Sequence, residues 1–231
     1  MKMRSYTATC KQVQRLNGTT CLLTFSLPED FTFVPGQFIT MTITVNKVPH
    51  TRSYSIASPP RRGEIDLLIR YVENGAVTPA LFAMKPGDRV QIQGPFGRFT
   101  LKDTTRGIIC IATGTGIAPF RAIIPPLLTS GYPGTVKLLE GHRTKEHIIF
   151  QDLWSELDEK HTNFDWHLCL SREETWKGDK GRVQDLLERY VPTQFKGDFY
   201  LCGVGEMVLS CQALLLERGI TRDRIHSERY S

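Results

Sequence analysis

Seven consecutive residues, Arg52-Ser53-Tyr54-Ser55-Ile56-Ala57-Ser58, bring together one cation, one aromatic ring and three hydroxyls. Val48-Pro49 before them and Pro59-Pro60 after them read as turns. Within the run, Arg52, Tyr54 and Ile56 alternate with Ser53, Ser55 and Ala57, the two-residue period of a strand. Arg52 and Tyr54 then share one face, and Ser53 and Ser55 the other. Small residues on one face let a flat ligand come close to the main chain. By itself the heptad fits equally a surface strand of a barrel with an exposed arginine.

A second set of residues suits phosphate. Ala112-Thr113-Gly114-Thr115-Gly116-Ile117-Ala118-Pro119-Phe120 lies between an apolar strand and a helix whose first turn accepts Pro119. Its glycines let backbone N–H groups approach a diphosphate, although the third glycine of a G-x-G-x-x-G fingerprint is absent. Arg143, Arg172 and Arg182 stand at strand ends or helix starts, in Glu140-Gly141-His142-Arg143-Thr144, Cys169-Leu170-Ser171-Arg172-Glu173 and Lys180-Gly181-Arg182-Val183. Converging, they would hold a phosphate; apart, they are surface cations. Gly75-Ala76-Val77-Thr78 precedes a short helix expected over Pro79–Met84, with Thr78 near its N-cap, and a helix start can hold an anion. Cys202 in Leu201-Cys202-Gly203-Val204-Gly205-Glu206-Met207 has no His–Asp constellation to make it a nucleophile, and by itself it reads as a buried structural thiol.

These residues need two kinds of scaffold. Short strand patterns fill the first half: Tyr6–Val13, Thr20–Ser26, Gln37–Val45, Glu64–Val72 (with Ile65, Leu67, Ile69 and Tyr71 on one face) and Arg89–Gln93. Such spacing points to an antiparallel sandwich or barrel. From residue 107 apolar strand runs at 107–112, 136–139, 166–170 and 199–202 alternate with helical patterns at 117–128, 148–159, 183–190 and 207–217. That alternation predicts an α/β doubly wound parallel sheet, with ligands at the strands' carboxyl ends. The polar stretch Lys102-Asp103-Thr104-Thr105-Arg106 divides residues 1–103 from residues 104–231.

The heptad resembles the signature Arg-x-Tyr-Ser-x-x-Ser of the ferredoxin–NADP reductase superfamily. Pro35-Gly36-Gln37-Phe38, Gly75–Thr78, Gly94-Pro95-Phe96-Gly97, Gly114–Phe120, Cys202-Gly203 with Met207, and the terminal Glu228-Arg229-Tyr230 resemble further family motifs in the same order, over nearly the whole chain. The resemblance implies an FAD-binding Greek-key barrel followed by an NAD(P)-binding domain. It implies that Arg52 and Gly75, Ala76, Val77 and Thr78 hold the FAD pyrophosphate. Tyr54 would lie along the isoalloxazine, Ser55 would bond near flavin N5, and Ser53, Ile69 and Tyr71 would complete the flavin site. Gly114, Thr115 and Gly116 would take the coenzyme's diphosphate. Arg143, Thr144, Ser171, Arg172 and Arg182 would take the 2′-phosphate of NADP(H), with NAD(H) as the alternative. Cys202, Gly203 and Met207 would sit by the nicotinamide. Glu228 and Tyr230 would serve the reacting centre, with Ser55 and Cys202 as the other catalytic residues. Ser231 departs from relatives that end on the aromatic residue.

The implied activity is hydride transfer from NADPH to FAD, then single electrons to a carrier such as ferredoxin or flavodoxin. Two alternatives are an NADH-dependent reductase component of an oxygenase and an FAD-bearing subunit working only inside a larger complex. Of 231 residues, 40% are hydrophobic and 23% charged, an ordinary globular balance with no apolar run of membrane-spanning length. Six cysteines without a C-x-x-C pair argue against a metal or iron–sulfur site and fit a reducing cytoplasm. The formal charge of +5, without a basic run, suits an acidic carrier protein rather than nucleic acid. A monomer is expected.

Overall fold

A computed structural model describes residues 4–102 and 105–230. The expected boundary at Asp103-Thr104 and the terminal Ser231 lie outside the described residues. The chain forms two compact units, Met1–Thr100 with Ala118–Ile123, and Leu101–Ile117 with Ile124–Ser231.

The first unit contains β1 (Ser5–Asn17), β2 (Thr20–Ser26), β3 (Phe38–Val45), β4 (Val48–Ser55), β5 (Glu64–Arg70), the five-residue helix α1 (Thr78–Phe82) and β6 (Arg89–Phe96). Their sheet runs β4-β3-β6-β1-β2-β5, antiparallel throughout. A bridge between Ile56 and Leu67 and a 2.8 Å bond from Ala57 N–H to Asp66 C=O bring the ends of the two edge strands together, so the sheet curls into a half-barrel. Alternate side chains point inward. Leu23, Phe25, Ile39, Met41, Ile65 and Leu67 are fully buried there, each contributing about 1.5–3 kcal/mol.

Three local expectations change. β6 runs past Gln93 through Gly94-Pro95 to Phe96, and a register shift against β3 is the irregularity at which a strand tolerates proline. α1 ends at Phe82, short of Met84, and Val77 rather than Thr78 occupies its N-cap. β5 stops at Arg70 and is buried on both faces, because Asp66 and Leu68 are covered as well.

Asp66 is 3% exposed and ionically satisfied. Its Oδ1 accepts from Thr24 Oγ1 at 2.9 Å and Arg61 Nη2 at 2.6 Å, and its Oδ2 from Arg121 Nη1 at 2.9 Å. Arg121 also donates to Ala57 C=O at 2.7 Å, and Asp66 N–H to Ser58 Oγ at 3.0 Å. The last serine of the heptad is thus a buried structural acceptor.

The second unit is built on β7 (Ile108–Thr113), α2 (Ala118–Thr129, whose first turns join the first unit), β8 (Val136–His142), α3 (Gln151–Lys160), β9 (Phe164–Leu170), β10 (Asp179–Lys180), α4 (Val183–Tyr190), β11 (Asp198–Val204), α5 (Gly205–Glu217) and β12 (Ile225–Tyr230). Its sheet is parallel, in the order β10-β9-β8-β7-β11-β12. The chain winds outward from β7 and then returns to β7's other side as β11. The order reverses between β7 and β11, which is where ligands of such sheets bind, beyond the strands' carboxyl ends. The terminal segment, which shows no strand pattern in the sequence, is the edge strand β12.

Candidate functional site

In the first unit the Ile56–Leu67 bridge is antiparallel. Carried back along both strands, its register sets Tyr54 opposite Ile69 and Arg52 opposite Tyr71. Among the described residues no ladder joins β4 to β5 there, since β4 pairs with β3 and β5 with β2. The half-barrel is therefore open where the heptad and the end of β5 face each other. Arg52 is exposed, bonds Thr51 C=O at 2.8 Å, and meets no carboxylate among the described residues. Tyr54 is half-buried against the core, and burial pushes its hydroxyl up to about 12 against the pull of Arg52. It stays a neutral donor. Ser55 is buried and Ser53 exposed.

The other residues of this set divide by what they can offer. Ile69 is wholly in the core, so its side chain is not available to a ligand. Tyr71 is exposed and packs edge-on to Phe82, ring centroids 5.1 Å apart. Val77 is in the core, and Ala76 is exposed. Thr78 Oγ1 accepts Val72 N–H at 2.9 Å and donates to Val72 C=O at 3.3 Å, while Gly75 N–H bonds Val72 C=O at 2.9 Å. Thr78's hydroxyl thus shapes the loop, and main chain is what Gly75–Thr78 presents. An uncompensated guanidinium, a protonated phenol and an open barrel edge fit an anionic, flat cofactor such as FAD.

In the second unit, the 3₁₀ turn Gly114–Ile117 after β7 and the last residues of β11, Cys202–Val204, meet at the switch point. A Cβ at Gly116 would lie 2.2 Å from Cys202 O and 2.6 Å from Gly203 Cα. This glycine is required by close backbone packing. Gly203 has φ +149°, and a Cβ there would lie 2.4 Å from Thr113 Oγ1. Val204 N–H points to the same Thr113 oxygen at 3.4 Å. Thr113 was visible in the motif but not singled out, since nothing local shows that its hydroxyl meets a turn 90 residues later.

Cys202 is fully buried and pairs in register with Glu228 on β12. Burial pushes its thiol up, its hydrogen bond with the Tyr230 side chain opposes this, and the nearby Glu228 carboxylate adds to the rise. Cys202, Glu228 and Tyr230 are thus brought together. Met207 is core, with its sulfur 3.8 Å from Cys211 Sγ.

Of the arginines, Arg143 and Arg172 are adjacent, Arg172 N–H bonding Arg143 C=O at 2.7 Å. Ser171 Oγ lies 3.4 Å from His142 C=O, and Thr144 Oγ1 is 2.7 Å from His147 Nδ1. Arg182 is exposed and turns to Glu206, Nη1 to Oε1 3.4 Å. Gly114 and Thr115 are half-buried at the turn. An exposed arginine pair past the ends of β8 and β9, on the same carboxyl edge of the sheet as the glycine turn after β7, fits a phosphorylated dinucleotide. Among the described residues no cluster of three His, Cys, Asp or Glu could hold a metal, and no helix is long and apolar enough to cross a membrane.

Comparison with known proteins gives two adjoining family matches, the oxidoreductase FAD-binding domain over residues 3–101 and the oxidoreductase NAD-binding domain over residues 110–213. The reductase component of phenol 2-monooxygenase from Pseudomonas sp. strain CF600 is 31% identical over 217 residues, 89% of this chain and 61% of that protein. Phenol hydroxylase P5 protein of Acinetobacter pittii is 30% identical, over 99% of this chain and 66% of its own. The chain spans between about half and two thirds of the length of the curated relatives it matches. Among solved structures, a cytochrome P450 reductase of Amycolatopsis has a TM-score of 0.90 at 26% identity, covering 98% of this chain and 70% of that one. For the fold alone, a ferredoxin NADP+ reductase from Neisseria gonorrhoeae with bound FAD and NADP gives 0.86 at 23% identity, over 97% of this chain and 98% of its own. With an open antiparallel half-barrel, a parallel sheet reversing at β7/β11 and family matches over both, the chain belongs to the ferredoxin–NADP reductase superfamily of FAD- and NAD(P)-binding oxidoreductases.

Proposed function

We propose that this chain is the flavin- and nicotinamide-binding part of a reductase that takes a hydride from NADPH and passes single electrons to an acidic carrier protein. Bound FAD would supply the redox chemistry, accepting two electrons together and returning them one at a time. The chain's own residues bind and orient. Arg52 and the main chain of Gly75–Thr78 hold the pyrophosphate, with Tyr54 and Tyr71 beside the flavin slot. Ser55 orients the flavin. Gly114–Gly116 seat the coenzyme diphosphate, and Cys202, Glu228 and Tyr230 place the nicotinamide end. With burial raising its thiol, Cys202 is a neutral packing and hydrogen-bonding group rather than a nucleophile.

The observation that carries this reading is the pairing, in one chain, of an arginine-lined open barrel edge with a glycine turn at a sheet's switch point. The purified protein is expected to be yellow and to release FAD, not FMN, on denaturation, because two pyrophosphate-binding segments serve a dinucleotide. Colourless protein that fails to take up added FAD would sink the reading. The reductase components among the relatives and the excess of 29 Lys+Arg over 24 Asp+Glu support a carrier protein as acceptor. Ferredoxin and flavodoxin are the carrier classes proposed, with a monomeric cytoplasmic enzyme.

One observation favours a second reading, NADH as coenzyme. Two carboxylates stand among the arginines: Glu206 pairs with Arg182, and Glu173, next to Arg172, accepts Lys145 N–H at 3.2 Å. Arg172→Ala is expected to lower kcat/KM for NADPH by about 10- to 150-fold while leaving NADH nearly unchanged, since charge-assisted bonds to a 2′-phosphate are lost. Arg182→Ala should cost less than about 5-fold, because its exposed side chain already has a partner. A wild-type preference for NADH, with no loss in either variant, would select the second reading.

A further inference from the structure

Beside the coenzyme loops lies a polar cluster that the proposed chemistry does not use. Glu140, on β8, is fully buried. Its Oε1 is 2.7 Å from His142 Nε2, and its Oε2 accepts Trp166 Nε1–H at 3.0 Å. The side chains of Glu140 and His142 are 0% and 1% exposed. A carboxylate withdrawn from water is costly unless its oxygens are satisfied, and an apolar residue of similar volume would fill the place at no such cost. Packing therefore gives no reason for a glutamate here.

Its position does. β8 ends at His142, and Arg143 follows. His142 C=O accepts Ser171 N–H at 3.0 Å, and Arg143 C=O accepts Arg172 N–H at 2.7 Å. On the opposite face, a Cβ on Gly141 would stand 3.1 Å from Val183 Cβ, the residue after Arg182. Three residues of strand end thus touch every segment that carries a coenzyme arginine. Glu140 grips that end from within the sheet, holding the imidazole two residues along its own strand and the indole of β9 on the neighbouring one.

We propose that Glu140 is a positioning residue for the coenzyme's ribose phosphate: through His142 and Trp166 it fixes the end of β8, and with it Arg143, Ser171 and Arg172. This rests on the reading that those residues hold the phosphate. The effect is on affinity. The strand end reaches the reaction only through the coenzyme it seats.

The test uses the full FAD-loaded chain and the probe adenosine 2′,5′-bisphosphate, followed by calorimetry, with NADPH–ferricyanide kinetics alongside. Glu140→Leu keeps volume and loses both acceptors; it should weaken probe binding and raise KM by about 10-fold, with kcat within about 2-fold of wild type. Glu140→Gln keeps a carbonyl acceptor and should recover most of the affinity. Trp166→Phe removes one donor but keeps a ring, and should weaken the probe by about 3- to 10-fold even if Glu140→Leu fails to fold. Wild-type affinity in folded Glu140→Leu, or in Trp166→Phe, overturns the proposal. Arg172→Ala in the same assay separates the two failures. If it weakens the probe while Glu140→Leu does not, only the role of Glu140 is wrong. If it too binds normally, the phosphate reading falls and this proposal with it.

Discussion

Asp66→Ala is expected to destabilise the first unit by about 3–5 kcal/mol, the cost of removing one partner from a buried ionic cluster. The Asp66 side chain is 4% exposed, against 20% for Arg121 and 43% for Arg61. Arg61 can turn to water when the carboxylate goes. Arg121 is mostly covered and would lose its ionic partner, keeping the bond to Ala57 C=O. Asp66→Asn keeps an acceptor and should cost roughly half as much. The loss should spread to the flavin, because Ala57 and Ser58, bonded to the Asp66 main chain, lie two and three residues after Ser55. All three tryptophans (Trp154, Trp166 and Trp176) lie in the second unit. In urea, circular dichroism should therefore fall before tryptophan emission changes. An Asp66→Ala midpoint within error of wild type would show that the cluster contributes nothing net.

Gly116→Ala should cost about 1–3 kcal/mol or more and should disable coenzyme turnover while FAD is retained. All three atoms nearest the added methyl are main chain: Cys202 O at 2.2 Å, Cys202 C at 2.5 Å and Gly203 Cα at 2.6 Å. No rotamer relieves such a clash, so the turn after β7 and the end of β11 must separate. Cys202 would move with them, and its register against Glu228 with it. Gly205→Ala is the control, since a Cβ there meets nothing within 4 Å. Equal NADPH-dependent flavin reduction in both variants would show that the switch point tolerates a gap.

Local pattern was a good guide wherever burial was one-sided or complete. Thr20–Ser26 and Val183–Tyr190 read from the sequence as they fold, because apolar period and turn residues agree there. β12 did not read as a strand. Ile225-His226-Ser227-Glu228-Arg229-Tyr230 has little apolar character, and becomes a strand through parallel pairing with β11. Asp66 was passed over for a related reason. A single carboxylate in Ile65-Asp66-Leu67-Leu68-Ile69 looks like an outward-facing residue, and its partner Arg121 is 55 residues away. The motifs, in turn, do not say which of their residues act by side chain. Ile69, Val77 and Met207 stand in the expected places with their side chains in the cores, and Ser58 spends its oxygen on Asp66 N–H. Arg182 belonged by spacing to a phosphate cluster, and only the folded turn shows it beside Glu206.

The six cysteines give the protein a property outside its redox chemistry. All are reduced and buried, and burial raises the thiols of each: Cys21 to about 11, Cys169 and Cys211 to about 12, and Cys10, Cys110 and Cys202 upward as well. A thiolate is the species that alkylating reagents and peroxide attack, and here it is both scarce and covered. Modification must wait for an opening motion, so the rate at which each thiol reacts reports the local opening equilibrium of its strand or helix. The chain thus carries internal clocks in both units, two on β1 and β2 and four in the parallel sheet and α5. One cysteine added at an exposed position would carry a dye or spin label selectively, with every native thiol left in place.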